Sequence, residues 1–220
     1  MTSPAKRHFQ RHAAALPEED RAYDKAAANQ YELMLAKLAE DKRRLKDLQS
    51  IERKIDVKRQ LLPEYQPWIE GVIQGDTGQQ DDVFMTVLVW TIDTGDLEAA
   101  IPLADYAIRH KLAMPDQYKR TTACVIAEEA ADIALKGTAV PFALLQAVAA
   151  LTADHDMPDE VRAKLHKAIG YALRDAGQLA EARERLAYAL QLHAKVGVKK
   201  DIERLDTQLK NSAGAPEGTG

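Results

Sequence analysis

A single cysteine, Cys124, in 220 residues excludes an internal disulfide and any zinc site built from cysteine ligands. It lies in the apolar run ACVIA, where a buried structural thiol is expected. Aromatic residues make up only 5% of the chain, and Ala and Leu dominate, a bias toward helices and against strands. No apolar run approaches the ~20 residues that a bilayer span requires. The opening MTSPAKRHFQRH has no apolar signal core, so a cytoplasmic location is expected. No glycine-rich loop ends in Lys-Ser or Lys-Thr, which removes the P-loop, and neither a strand–GxGxxG–helix unit nor GxSxG occurs.

What the chain does have is a hydrophobic content of 46%, ample for a core, and a divided charge. Residues 1–62 hold 14 Lys and Arg against 10 Asp and Glu, while residues 63–220 hold 16 against 24. Opposed halves of this kind suggest a basic part for a polyanion and an acidic part for something else.

The organisation follows from where Gly and Pro fall. Residues 1–17 read as a basic flexible arm carrying Lys6, Arg7 and Arg11, with His8 and His12 in phosphate contact rather than on a metal. From Glu18 to Leu62 nothing interrupts the chain, and one long basic helix is expected, roughly 65 Å at ~1.5 Å per residue. Its apolar residues Tyr31, Met34, Leu38, Leu45, Leu48, Ile55 and Leu62 alternate spacings of three and four, a coiled-coil-like stripe broken by Asp41, Glu52 and Arg59. Leu38, Leu45, Leu48, Ile55 and Leu62 are the candidate oligomerisation residues. Residues 63–80, with two prolines and three glycines, read as a hinge in which Trp68 and Ile69 are docked. Residues 81–211 read as an acidic bundle of helices near 81–94, 96–111, 117–136, 140–153, 158–176, 179–196 and 198–210, and 212–220 as a disordered tail. The fold class is therefore all-α.

An internal echo bears on the architecture of that bundle. GDLEAAIPLADYAI, from Gly95, and GQLAEARERLAYAL, from Gly177, share Gly, Leu, Ala, Tyr and Ala at offsets zero, two, five, eleven and twelve. Glycine turns followed by alanines at fixed places are how tetratricopeptide-like pairs bring two helices close. The copies lie 82 residues apart rather than one ~34-residue period, so two separate TPR-like helix pairs in one bundle are expected, not an array.

The richest chemical signal is the run DKRRLKDLQSIERKIDVKR, which holds Lys42, Arg43, Arg44, Lys46, Arg53, Lys54, Lys58 and Arg59. Interspersed acids allow a salt-laced solvated face. The surplus of cations points instead to phosphate contacts with DNA. Asp81-Asp82, Glu128-Glu129 and Asp154-His155-Asp156 are the carboxylate sets that a two-metal nuclease would need to converge. Each also reads as a helix start, a solvated face or a turn. No catalytic residue, metal ligand or cofactor is assigned.

MTSPAKRHFQRH, LLPEYQPWIEGVI, QDDVFMTVLVWTIDTGDLEAAIPLADYAI, LAMPDQYKR, DMPDEVRAKLHKAIGYALRDAG and GVKKDIERLDTQLK together resemble the gpM family, the terminase small subunits of temperate myovirus-type phages. The resemblance covers essentially the whole chain. It implies a subunit that recognises the packaging site on double-stranded viral DNA in the host cytoplasm and assembles as a homo-oligomeric ring. It also implies delivery of that DNA to a large subunit with the ATPase and nuclease, and no membrane. The family is also labelled an endonuclease subunit. Three readings stand: a non-catalytic DNA-recognition and assembly subunit, a chain that itself cuts DNA with a metal, and a TPR-like peptide-binding adaptor.

Overall fold

The computed structural model describes residues 18–115, 119–137 and 140–213, with side chains between 28 and 212. Among the described residues the chain is all-α, with nine helices and no strand. In chain order these are α1 (Glu18–Lys46), α2 (Ile51–Gly75), α3 (Asp82–Asp93), α4 (Leu97–Arg109), α5 (Thr122–Leu135), α6 (Phe142–Leu151), α7 (Asp159–Asp175), α8 (Leu179–Leu192) and α9 (Lys199–Ala213). The chain divides into two compact units, residues 1–57 and 58–220.

The first unit departs from the uninterrupted helix expected over 18–62. The helix stops at Lys46 and resumes at Ile51. Asp47 and Leu48 still bond back to Arg43 and Leu45, and Ser50 then offers its hydroxyl to the Arg53 N–H at 3.3 Å. A serine at this position serves the orphan amides of the next helix better than it serves a helix interior. Leu48 therefore lies in the turn, outside any helical seam. Leu38 and Leu45 are already buried within the single chain.

In α2 the structure overturns a second expectation. Pro63 and Pro67, read as breakers within a hinge, stand inside a helix that runs on to Gly75. Both prolines are exposed, so the carbonyls that lose a partner, those of Arg59 and Pro63, are on the watered side. The opposite face buries Leu61, Tyr65 and Ile69, spaced by four. Burial of each contributes about 1.5–3 kcal/mol, which offsets a cost of about 3 kcal/mol per interior proline. Tyr65 meets Trp90 edge-on at 5.9 Å, and the Trp68 indole N–H donates to Asp81 at 2.9 Å. Trp68 and Ile69 are thus docked, as expected.

The second unit is built around α3, in which every residue from Val83 to Ile92 is buried. A helix apolar all round needs neighbours on all sides. Among the described helices, α3 packs on α4 and α5, α4 also on α5 and α6, α5 on α6 and α7, and α6 on α7. Then α7 packs on α8, and α8 on α9. Alanines at these helix crossings, such as Ala100, Ala104, Ala107, Ala127 and Ala130, are fully buried and let backbones approach.

The two copies of the echo turn out to be the same turn. At Gly95, φ is +81°, the Asp96 N–H bonds the Thr91 carbonyl and the Gly95 N–H bonds that of Ile92. At Gly177, φ is +78°, and Gln178 and Gly177 bond Leu173 and Arg174 in the same pattern. This is a Schellman closure with glycine in the left-handed position. Each turn folds the following helix back on the preceding one, so α3–α4 and α7–α8 are two αα-hairpins.

Residues 76–81, between α2 and α3, are tied across α4. Asp76 pairs with His110 at 2.7 Å, the Gly78 N–H donates to the Tyr106 hydroxyl at 3.1 Å, and the Gln80 amide exchanges two bonds with the Ala113 backbone. Gly78 must be glycine, since a Cβ there would lie 2.4 Å from His110 Nδ1.

Candidate nucleic-acid interface

The cationic run that the sequence singles out is split by the break at 47–50. Lys42, Arg43, Arg44 and Lys46 end α1 and are exposed; Arg53, in the first turn of α2, is exposed, and Lys54 is half-buried. Cations in the last turn also complement the carbonyl end of a helix, worth about 0.3–1 kcal/mol each, so part of this pattern serves α1 itself. The acid on the same helix, Asp41, is buried and paired with Lys37 at 2.8 Å.

Lys58 and Arg59 are placed differently. Lys58 is ion-paired with Asp93, and the Arg59 guanidinium donates to the Thr94 carbonyl at 3.2 Å. Both therefore serve the C-terminal end of α3. Lys6, Arg7 and Arg11 lie outside the described residues.

Of the apolar candidates, Leu38 and Leu45 are buried, while Leu48, Ile55 and Leu62 are half-buried. Leu33 and Ile51, which lie off the stripe, are the most exposed large apolar residues described.

The carboxylate sets are engaged locally. Asp81 is buried, caps α3 through the Phe84 N–H at 2.9 Å and takes the Trp68 indole; burial above all pushes its carboxyl up. Glu128 pairs with Arg120. Burial raises Glu129 as well, helped by Asp93 and Asp132, which are held by Lys58 and Lys164. Around Asp154–Asp156 the Arg162 guanidinium donates to the Ala153 and His155 carbonyls, at 3.3 and 2.7 Å. Among the described residues no group of three or more His, Cys, Asp or Glu could hold a metal ion. Cys124 is buried, and desolvation raises its thiol, which fits the structural role expected of it.

One feature escaped the sequence. His166 is buried against Tyr188, ring centroids 4.7 Å apart and nearly perpendicular, and its Nδ1 has no partner among the described residues. Burial first, then the charges of Arg185 and Arg162, pull its pKa down to about 4. Its signal in the sequence is positional: His166 lies eleven residues before Gly177, where Phe84 stands before Gly95.

Comparison with known proteins places the chain. The profile described as "Phage small terminase subunit" matches residues 35–160. The protein of Escherichia phage P2 called "Terminase, endonuclease subunit" is 47% identical over 214 residues, covering 96% of this chain and 87% of that protein. The "Probable terminase, endonuclease subunit" of Haemophilus phage HP1 is 27% identical, covering 90% and 80% respectively. No solved structure matches. A cation cluster at a helix junction, an all-helical body and these matches agree, and the chain belongs to the family of phage small terminase subunits.

Proposed function

We propose that this chain is the DNA-recognition and assembly subunit of a viral packaging terminase. It binds double-stranded viral DNA at the packaging site, self-assembles, as a ring in the family's manner, and hands the DNA to a large subunit that carries the ATPase and nuclease. It works in the host cytoplasm; no described helix is long and apolar enough to cross a membrane. The observation that carries this reading is the exposed set Lys42, Arg43, Arg44, Lys46 and Arg53, with Lys54 beside it, around the turn at 47–50. Six cations on one short stretch suit a run of phosphates, whose counterions they would release. Lys6, Arg7 and Arg11 add to it from the arm. Leu48, Ile55, Leu62, Leu33 and Ile51 keep apolar surface that a second copy would cover, and Leu38 and Leu45 support it from within. The excess of acids after residue 63 favours fast, salt-sensitive docking of a basic partner face, which we assign to the large subunit.

The test is binding to duplexes with and without the packaging site across a salt series. Reversing Arg43, Arg44, Lys46 and Arg53 to Glu should weaken binding to both duplexes and flatten the salt dependence. Unchanged affinity and slope would make the cluster a solvated face.

A second reading has one specific observation in its favour, the words "endonuclease subunit" in the names of both relatives. In it the chain itself cuts, and one of the carboxylate sets binds Mg²⁺ or Mn²⁺.

A further inference from the structure

The two hairpins differ in one respect that bears on partners. Phe84 and Tyr106 stand eleven residues before and after Gly95, and His166 and Tyr188 stand eleven before and after Gly177. Both pairs touch ring to ring, with centroids 5.0 Å apart in the first and 4.7 Å in the second. Behind each lie buried small or aliphatic partners at matching offsets, Ala100 with Ala182, Ala104 with Leu186 and Ala107 with Ala189.

In the first hairpin the ring pair is closed over. Residues 76–80 cross it: the Gly78 N–H meets the Tyr106 hydroxyl, and the Asp76 carboxylate meets His110 and, at 3.5 Å, Arg109, which also stands over the Tyr106 ring at 5.8 Å. Tyr106 is 1% exposed as a result. In the second hairpin the corresponding residues are helical, because α7 starts earlier relative to its glycine than α3 does. Nothing described crosses the ring pair. Tyr188 is 40% exposed, its hydroxyl bonds no described group, and the buried His166 Nδ1 beneath is unpartnered among the described residues.

The charge around this opening has one sign. The groups whose charge reaches His166 are Arg185 and Arg162. Arg162 is spent on neutral carbonyls and so keeps its charge. Arg185 is exposed, and neither Glu181 nor Glu184 on its own helix pairs with it.

From this internal precedent we propose that the His166–Tyr188 face of the second hairpin receives an extended, acidic, glycine-containing segment of a partner protein. The segment lies as residues 76–80 lie on the first hairpin: a glycine N–H reaches the Tyr188 hydroxyl, and a carboxylate meets Arg185. Glycine is required because only a residue without Cβ brings its amide that close to the ring edge. The surface is distinct from the cation cluster on α1 and α2 and does not depend on DNA binding.

The probe is the chain's own covering sequence as a free peptide, Gly-Asp-Thr-Gly-Gln-Gln-Asp, titrated into the full-length protein with isotope-labelled tyrosine and arginine side chains. The signals of Tyr188 and Arg185 should move together and saturate at millimolar peptide. A peptide with both aspartates replaced by lysine should leave them in place. Arg185→Glu should weaken binding about tenfold, since a charge-assisted bond is replaced by repulsion. Tyr188→Phe keeps the ring against His166, and so the fold, but removes the acceptor; read at Arg185, it should weaken binding by about two- to tenfold. A Tyr188 signal that does not move, equal binding of the lysine peptide, or an Arg185→Glu protein that binds as well as the parent each overturns the proposal.

Discussion

Gly170 of α7 faces Leu186 of α8 so closely that a Cβ on the glycine would lie 2.5 Å from Leu186 Cδ2 and 3.3 Å from the Ala182 carbonyl oxygen. Leu186 is fully buried, so it cannot swing into solvent to make room. The α7–α8 crossing is set by that missing methyl group. Overpacking costs about 1–3 kcal/mol, while replacing a helical glycine by alanine returns about 0.5–1 kcal/mol. Gly170→Ala should therefore lower the melting temperature by about 5 °C. Gly71 on α2, with nothing within 4 Å of its would-be Cβ, provides the contrast. Gly71→Ala should leave stability unchanged or raise it. Calorimetry on the two variants checks the pair; equal losses would mean that the close approach is not what costs stability.

Burial of His166 makes stability depend on pH in one direction. The folded ring stays neutral down to about 4, whereas in the unfolded chain it protonates near the ordinary histidine value of 6.5. The unfolded state thus binds a proton first as pH falls. The contribution is complete above about 6.5 and is lost between there and about 4, up to about 3 kcal/mol in all. His166→Phe keeps a ring against Tyr188 and copies the Phe84 position of the first hairpin. It should remove this slope from a plot of unfolding free energy against pH. A parent protein and variant with parallel acid limbs would mean that other groups carry the dependence.

How far the sequence reveals this fold depends on whether a signal is local. Gly95 and Gly177 mark their turns because a left-handed residue closing a helix is a backbone requirement of that one position. The helices expected near 81–94, 96–111 and 158–176 are found at 82–93, 97–109 and 159–175 for this reason. Pro63 and Pro67 mislead because their cost depends on which side of α2 faces water, and that is decided by where Leu61, Tyr65 and Ile69 are buried. The break at 47–50 is legible only as Ser50 followed by Glu52, a cap and a first-turn acid inside a strong helical pattern. The cations of the candidate interface can be named from composition. That Lys58 and Arg59 serve the end of α3 cannot, because Asp93 and Thr94 are 35 residues away in sequence.

Asp81 offers a test of the nuclease reading. Its carboxylate holds the Phe84 amide and the Trp68 indole at once, so Asp81→Ala removes a helix cap worth about 1 kcal/mol and leaves a part-buried indole N–H unpaired. The expected outcome is a less stable protein whose behaviour toward DNA is otherwise that of the parent. Highly purified chain, incubated with plasmid carrying the packaging site and Mg²⁺ or Mn²⁺, should leave the plasmid supercoiled. Nicks that disappear in Asp81→Ala and Asp82→Ala, or in Asp154→Ala and Asp156→Ala, would put the cutting activity in this chain. Nicks that require added large subunit would place it there.

The split of the cationic run predicts a split in its energetics. Lys58 and Arg59 are bound to Asp93 and Thr94, and using either on a phosphate would first break an intramolecular bond. Arg43 and Arg44 are exposed at the end of α1, away from any such demand. Removing one cation–phosphate pair from a duplex complex lowers the salt slope by about 0.9. Arg43→Ala with Arg44→Ala should therefore reduce the slope by about two and leave the melting temperature near that of the parent. Lys58→Ala should do the opposite: the slope stays, and the protein is destabilised by about 1 kcal/mol as Asp93 gives up its partner. Measuring slope and melting temperature on the same two proteins separates the roles. A Lys58→Ala protein with a reduced slope and an unchanged stability would place Lys58 on the DNA and remove the distinction drawn between the two halves of the run.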